Sequence, residues 1–521
     1  MSFSIPNISP ATLTTNRVGI SPSSGLCVSC LDGCPGYCEV GSSALKGRDL
    51  LYPRPFGTTI SGSQKDYPVD FSHFNIQGSC TRSDGSEEGS KPAKVMDIDI
   101  SAHIGVEEKI RLDTPCLIGA LGSTDIAGVN WESIAIGAAI CGTIVTVGEN
   151  VCGMDAQSDL QGGRIVRSPE MERRITCFKD WHDGSGQIFV QCNQDDMKRG
   201  VPEYVIERLG VEGIEIKWGQ DAGSICWQNK TPSIEDAREL KNRGYSVIPD
   251  PDDPLTDKMI ECGAVKELEV HGESSLIDEE GLLREVERLR NIGAKYISLK
   301  TGSYRSRDLA LAIKCASKAR VDLLTVDGSG SGSGMTPWRM MNEYGIPTVY
   351  IESLLYRYLR RIEKMGWFIP DCAIAGGIIL EDQIVKALAL GAPYITSVCM
   401  GRGAMAAAMV GRTHGHLIKE RFSKDPQKYQ DTILRTFSCA HKMKEKYGND
   451  FGRIPAGAMG LCNYFDRLGT GLQQFLAGLR KSNVKHIKRE DLTALTRECA
   501  EVSGIPYIMD ADSEEAKKIL S

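Results

Sequence analysis

From about residue 114 to residue 412 the chain alternates between short apolar runs and amphipathic stretches. The apolar runs end in glycine or small polar residues and are predicted strands; they span residues 115–122, 143–149, 187–193, 213–220, 296–302, 322–328, 372–378 and 394–401. Between them lie stretches with helical periodicity, such as DARELKNRG, LLREVERLRNIG and DQIVKALALGA. Apolar strands that alternate with helices are typical of a parallel sheet covered by helices. Their number favours a closed (β/α)8 TIM barrel, with an open Rossmann-like sheet as the alternative.

The segments on either side of this alternating region differ from it in composition and in hydrophobic pattern. Residues 1–105 are rich in glycine, serine and proline, and are predicted to form an irregular extension. Residues 413–521 are charged and helical in pattern. The barrel therefore corresponds to residues 106–412, and we expect the C-terminal helices to pack on it or on a neighbouring subunit of an oligomer.

The composition is typical of a globular protein and argues against a nucleic-acid-binding or membrane-spanning protein. Hydrophobic residues make up 41% of the 521 residues and charged residues 25%, with a net charge of −7. Lysine and arginine are not clustered, so no nucleic-acid partner is expected. The longest apolar stretch, 134–147, is interrupted by glycine and is shorter than the ~20 residues that cross a membrane. The first ten residues lack the features of a signal peptide, which favours a cytoplasmic protein.

Two predicted strand ends suggest a phosphate site. Strand seven leads into Gly376 and Gly377, and strand eight leads into Gly401 and Arg402 at the start of a helix. The loops after strands seven and eight form the common phosphate site of TIM barrels. Glycine lets backbone N–H groups approach the oxygens, a helix N-terminus favours an anion, and arginine can pair with phosphate through two N–H groups.

The other strand ends supply candidate contacts to a flavin ring. Lys217 and Lys300 lie in otherwise apolar strands, where an unpaired charge would be costly. A cation beside the N1–O2 edge of a flavin stabilises the reduced ring. An exposed or salt-bridged lysine is the alternative for each. The remaining candidates are Gly119, Ala120, Leu121, Glu149, Gln191 and Gln220.

The glycine-rich segment 327–334 follows strand six. It lacks the G-x-G-x-x-G spacing, and no acidic residue follows it in a βαβ unit. We therefore expect no NAD(P) site in this chain. A flexible loop over the active site fits the segment better.

Four of the eighteen cysteines fall within twelve residues of one another, at Cys27, Cys30, Cys34 and Cys38. Four thiolates in a glycine-containing loop can surround a cubane iron–sulfur cluster, and we expect a cluster of the [4Fe–4S] type here. Zinc also accepts four thiolates, so it is the structural alternative.

Several blocks of the sequence resemble the FMN domain of glutamate synthase. They are IGALGSTDIAGVNWESIAIGAAICGTIVTVGENV, IEIKWGQDAG, ISLKTGSYRSRDLALAIKCASKARVDLLTVDGSGSGSG and IAGGIILEDQIVKALALGAPYITSVCMGRGA, and they run in the family's order over residues 95–415. The resemblance implies an FMN-binding barrel that forms glutamate from 2-oxoglutarate and ammonia. In the family, reduced FMN transfers hydride to 2-iminoglutarate. The match to the family's glycine-glutamate turn implies that Glu149 orients the imine or couples the sites, and Lys217 and Lys300 become candidate catalytic residues.

The chain also departs from the family. The family's three-cysteine [3Fe–4S] loop after strand eight is replaced by CMGRGAMAAAMVGRTHGH, with only Cys399. The glutaminase domain and the C-terminal β-helix are missing from the sequence. We therefore expect a stand-alone relative whose electrons come from ferredoxin or an NAD(P)H dehydrogenase subunit through the N-terminal cluster, with ammonia from a glutaminase-like subunit. A different acceptor substrate, or a role as the electron-transfer subunit of a larger complex, is the alternative.

Overall fold

A closed barrel of eight parallel strands forms the centre of the computed structural model. The structure describes residues 39–50, 67–80, 94–107, 109–219, 228–231, 233–271, 278–329 and 344–521. In chain order the barrel strands, numbered one to eight below, are Cys116–Leu121, Ile144–Val147, Gln187–Cys192, Gly213–Trp218, Tyr296–Thr301, Leu323–Asp327, Asp371–Ala375 and Ile395–Met400. All eight coincide with predicted strands, so the predicted TIM barrel is confirmed and the open-sheet alternative is wrong.

Helices follow the strands and cover the outside of the barrel. They are Asp125–Ile140, Pro169–Lys179, Gln194–Lys198, Val201–Glu203, Glu279–Asn291, Ser306–Ala319, Thr348–Lys364, Glu381–Gly391 and Arg402–Arg421. Glu279–Asn291 illustrates why these segments fold as helices. Asp278 caps its N-terminus by accepting a hydrogen bond from Gly281 N, and Leu282, Val286 and Leu289 form the buried face.

The barrel interior is filled in layers by the side chains of alternate residues. In the lower layer the Phe189 and Tyr296 rings stack at 6.3 Å over Gly213. A Cβ at Gly213 would lie 2.4 Å from the Phe189 ring, so only glycine fits between them. The hairpin of Ala102–Ile104 and Ile110–Leu112 packs its apolar side chains against this layer and closes the N-terminal end of the barrel.

Two insertions extend the loops at the C-terminal ends of strands. The loop after strand two contains the helix Val151–Met154 and the hairpin of Asp159–Gln161 and Arg164–Arg167. A larger insertion between strands four and five forms a three-stranded sheet with a small core of its own. Its elements are Gln228–Thr231, Ile234–Asn242, Ser246–Ile248, Pro254–Glu261 and Leu268–His271. The sequence pattern did not predict this sheet.

The two extensions pack against the barrel and against each other. The C-terminal extension contains helices Pro426–Thr436, Ala440–Tyr447, Ala456–Gly478, Arg497–Ser503 and Ser513–Leu520. Strand Phe74–Ile76 pairs antiparallel with Leu492–Ala494, and helix Glu39–Lys46 packs on Ala456–Gly478. The domain boundaries after residues 105 and 412 stay predictions; the first falls within the closing hairpin and the second within Arg402–Arg421.

The helices in the described part of the chain include none that is both long and apolar enough to cross a membrane.

Candidate functional site

The turn after strand seven is held in place by Thr348. Its hydroxyl donates a hydrogen bond to Gly376 O at 2.8 Å. Gly376 has φ +126°, and a Cβ there would lie 2.2 Å from the Thr348 oxygen, so this position requires glycine. Gly377 follows with φ +87°. Two consecutive residues in this region of backbone space give the turn a conformation that other residues rarely adopt.

Arg402 begins the long helix that follows strand eight, with Gly401 as its N-cap. Burial lowers the pKa of the Arg402 guanidinium to about 10, and the nearby Asp327 carboxylate opposes this shift. The guanidinium therefore stays charged at neutral pH. A Cβ built on Gly401 meets no atom within 4 Å, so the space beside the helix N-terminus is open to a ligand. A half-buried cation at the positive end of a helix beside this space favours an anion.

Lys217 and Lys300 lie opposite each other in the register of strands four and five. Lys217 Nζ lies 2.6 Å from Glu149 Oε1, and Lys300 Nζ lies 3.6 Å from Asp327 Oδ2. The four side chains are 9–14% exposed. Two ammonium groups on adjacent strands repel each other, and each carboxylate offsets that repulsion. The sequence identified the two lysines and left a salt bridge as the alternative for each, and the structure shows both salt bridges.

Glu149 is positioned by close contact between the loops after strands one and two. A Cβ at Gly148 would lie 2.3 Å from Gly122 N, and one at Gly122 would lie 2.9 Å from Glu149 O. Arg174 is 2% exposed and donates from Nη1 to the carbonyl oxygens of Leu121 and Gly122 at 3.0 and 2.9 Å. This buried arginine fixes the loop after strand one. Arg174 lies on helix Pro169–Lys179 and not at a strand end, so no motif in the sequence indicated its role.

Gln191 lies one layer deeper in the barrel than the two lysines. Its Nε2 donates to Glu215 Oε1 at 2.6 Å, and Ser298 Oγ donates to Glu215 Oε2 at 2.8 Å. The side chain of Gln191 is thus held in the layer beneath the mouth. Gly119 also faces the interior, since a Cβ there would lie 2.8 Å from Cys399 Sγ. Ala120 and Leu121 follow it and are half-buried.

Asp196 is a buried carboxyl group beside the Glu149 loop, and no pattern in the sequence indicated it. Its Oδ2 accepts hydrogen bonds from Asn150 N at 3.0 Å and Asn193 N at 3.3 Å. Burial raises the pKa of Asp196 to about 7, although both hydrogen bonds oppose the shift. Asn150 has φ +64° at the start of a short helix. The carboxyl group therefore joins the ends of strands two and three.

Some predicted residues lie outside the described part of the chain. They are Cys27, Cys30, Cys34, Cys38 and Gln220, together with most of the glycine loop after strand six. Among the described residues, no group of three or more histidine, cysteine, aspartate or glutamate side chains could hold a metal ion. The metal site at the four N-terminal cysteines stays a prediction.

Comparison with known proteins agrees with the resemblance seen in the sequence. Residues 272–414 match the family model described as the conserved region in glutamate synthase. This range runs from before strand five to the helix after strand eight, so it includes Lys300, Asp327, the Gly376–Gly377 turn and Arg402. The second half of the barrel is therefore similar to the conserved region of glutamate synthase.

A curated relative is the "glutamate synthase large subunit-like protein" of Rhizobium meliloti, which is 27% identical over 222 residues. That match covers 41% of this chain and 46% of the relative, so the chain spans about half the length of the curated relative.

Solved structures also align with the chain at low identity. The flavin-binding domain of baker's yeast flavocytochrome b2 is 13% identical with a TM-score of 0.46, over 82% of this chain and 77% of that one. The (S)-mandelate dehydrogenase of Pseudomonas putida is 14% identical with a TM-score of 0.44, over 89% and 94%. The barrel assignment depends instead on the observed strand pairing.

Proposed function

We propose that the protein is an FMN-dependent oxidoreductase of the glutamate synthase type that forms glutamate from 2-oxoglutarate and ammonia. The observation that carries this proposal is the pairing of Lys217 with Glu149 and of Lys300 with Asp327 at the barrel mouth, next to the Arg402 helix. The family match over residues 272–414 supports it, because that region contains both Lys300 and Arg402.

The residues at the mouth fit the phosphate of FMN. Arg402, the open space at Gly401 and the Gly376–Gly377 turn together form a positively charged cradle at the ends of strands seven and eight. The two lysines suit the ring edge or the carboxylates of the substrate. FMN, when bound, supplies the hydride that reduces the substrate imine.

The carboxylates of Glu149 and Asp327 balance the positive charges of the two lysines at the barrel mouth. Before substrate binds, the Glu149 carboxylate neutralises Lys217 at a distance of 2.6 Å, so the lysine carries no uncompensated buried charge. When substrate binds, its carboxylate can replace Glu149 as the partner of Lys217. Asp327 pairs with Lys300 at 3.6 Å and also favours the charged form of Arg402, so it electrostatically links the proposed ring and phosphate ends of the site. Glu149 released from Lys217 is placed to orient an imine N–H.

We further propose that electrons reach the barrel through an iron–sulfur cluster at the four N-terminal cysteines. Ferredoxin or a partner NAD(P)H dehydrogenase subunit is the proposed electron donor, and a glutaminase-like subunit is the proposed source of ammonia. A different acceptor substrate is the second candidate, since one barrel fold serves many reactions.

The decisive experiment mixes the dithionite-reduced protein anaerobically with 2-oxoglutarate and ammonium while the flavin absorbance is followed. The protein is first purified anaerobically and its absorbance spectrum recorded. We expect flavin bands, and re-oxidation of the flavin only when both substrates are present, with glutamate as the product.

Other outcomes separate the alternatives. Bound flavin that stays reduced with both substrates would overturn glutamate formation and direct the search to another acceptor. A protein that binds no flavin would refute the proposal as a whole.

A further inference from the structure

Cys141 and Cys462 lie in contact at the junction of two helices, away from the barrel mouth. Their sulfur atoms are 3.0 Å apart although 321 residues separate them in sequence. Cys141 is the C-cap of helix Asp125–Ile140, and Cys462 lies in helix Ala456–Gly478. The helices pack closely, since a Cβ at Gly137 would lie 3.1 Å from the Leu461 Cβ. Little movement is needed to join the two sulfur atoms.

The two thiols differ in access. Cys141 is half-buried, whereas Cys462 is 7% exposed. Burial and the neighbouring Cys141 thiol raise the pKa of Cys462 well above its usual value. Because an incoming disulfide reaches the more exposed sulfur first, Cys141 is the thiol placed to react first and Cys462 the one placed to resolve the product.

Both cysteines line a cleft of about 890 Å³ that also contains Cys439. The cleft has an excess of cationic side chains, which are Arg48, Arg435, Lys442 and Lys446 against Asp113 and Asp466. Arg48 is paired with Asp466, and Lys446 is paired with Asp183 at 2.5 Å. Asp113 is paired with Arg111, so Arg435 and Lys442 leave a net positive wall, which favours an anionic ligand over a cationic one.

We propose that Cys141 and Cys462 form a thiol–disulfide site that reacts with an anionic low-molecular-weight disulfide in this cleft. The Cys141 thiolate attacks one sulfur of the small disulfide, the bond between the two small-molecule sulfurs breaks, and one thiol leaves. The Cys462 thiolate then attacks the Cys141 sulfur and releases the second thiol. The two cysteines lose two electrons and two protons, and the small disulfide gains both pairs.

A metal ion explains the pair less well. Thiolates on one tetrahedral zinc ion at about 2.3 Å lie nearly 4 Å from each other, much farther than these two sulfur atoms. The described residues also contain no metal-holding cluster. The short distance between the two sulfur atoms fits a pair of thiols that can form a disulfide bond better than it fits two ligands of one metal ion.

The test treats the reduced full-length protein with oxidised glutathione, quenches by alkylation and maps the cysteines by mass spectrometry. We expect a peptide that links Cys141 to Cys462, together with a higher midpoint of thermal unfolding. The exposed Cys262 reports how fast an accessible thiol reacts in the same sample. Cystamine, a cationic disulfide of similar reactivity, is expected to produce the link several-fold more slowly.

Two variants assign the steps. Cys462→Ser should trap glutathione on Cys141, and Cys141→Ser should leave Cys462 unmodified while Cys262 still reacts. Full modification of Cys262 without a Cys141–Cys462 link would overturn the proposal. So would modification of Cys462 at the normal rate in Cys141→Ser, or stoichiometric zinc that is lost in that variant. An equal rate with cystamine would overturn the anionic ligand.

Discussion

At the scale of single residues, Arg402 decides whether the mouth of the barrel holds an anion. Its guanidinium stays charged despite burial and sits at the N-terminus of a 20-residue helix. The sequence indicated Arg402 as a phosphate ligand, but it did not indicate that the neighbouring Asp327 carboxylate helps to keep Arg402 charged. Asp327 ends a buried strand beside a glycine, and that pattern was a signal available in the sequence.

Arg402→Ala is expected to weaken FMN binding by about tenfold to a hundredfold, because a hydrogen-bonded charge pair contributes about 1.5–3 kcal/mol. The measurement is the dissociation constant of FMN with the protein stripped of flavin. Arg412→Ala on the same helix is the matched control, since Arg412 is exposed. Equal affinities in the two variants would contradict the assignment of Arg402 to the phosphate.

The buried Asp196 carboxyl group is expected to make the stability of the protein depend on pH. Its pKa is raised to about 7 in the folded protein, so the folded state keeps a proton that the unfolded chain loses near pH 4. Stability from this group is complete below about pH 4 and falls as the pH rises towards 7, by as much as ~1.4 kcal/mol per pH unit.

Asp196→Asn removes that titration, so its free energy of unfolding should decline less than that of the unmodified protein over the same range. Denaturant unfolding at several pH values measures the difference. Parallel curves for the two proteins would mean that Asp196 does not carry the proton.

At the scale of elements, the helix Ala456–Gly478 is packed against two barrel helices through glycine. A Cβ at Gly457 would lie 2.3 Å from Ser133 Oγ and 2.8 Å from Ala408 O. A Cβ at Gly478, the last residue of the same helix, meets nothing within 4 Å. An alanine at Gly478 therefore tests helix propensity alone, whereas an alanine at Gly457 tests helix propensity together with close packing.

Gly457→Ala is expected to reduce the free energy of unfolding by about 1–3 kcal/mol, because the helices must separate to admit the methyl group. Gly478→Ala should change it little or raise it by up to ~1 kcal/mol, since alanine favours the helix. Chemical denaturation of both variants tests this. A stabilised Gly457→Ala variant would show that the contact can relax.

At the scale of the whole molecule, the N-terminal extension and the C-terminal helices join on the outside of the barrel. Helix Glu39–Lys46, which follows the four-cysteine segment directly in sequence, packs on Ala456–Gly478. Asn463 Nδ2 donates to Ala44 O at 3.0 Å and to Leu45 O at 2.8 Å. The described chain that begins at Glu39 is thus held against the same body as the barrel.

The proposed iron–sulfur cluster predicts iron and acid-labile sulfide in equal amounts in anaerobically purified protein. Cys30→Ser should lose both, because a cluster needs its full set of thiolates. Cys262→Ser is the control, since this exposed cysteine lies in the insertion. Zinc in place of iron, or metal that persists in Cys30→Ser, would contradict the cluster.

The sequence by itself determined the barrel and part of its mouth. Buried parallel strands must be continuously apolar, and the chain must turn at glycine or polar residues where each strand ends, so both signals are local and can be read from one sequence. All eight strands and the positions of Lys217, Lys300, Gly376 and Arg402 at their ends follow from these signals.

The tertiary structure alone decided which charges and thiols meet. The partners of Lys217 and Lys300 lie on other strands or loops, and Cys462 lies 321 residues from Cys141. The small sheet between strands four and five is also a matter of long-range pairing, with strands too short to give a clear alternation. Contacts between distant segments depend on how the whole chain packs, and no local pattern of residues encodes them.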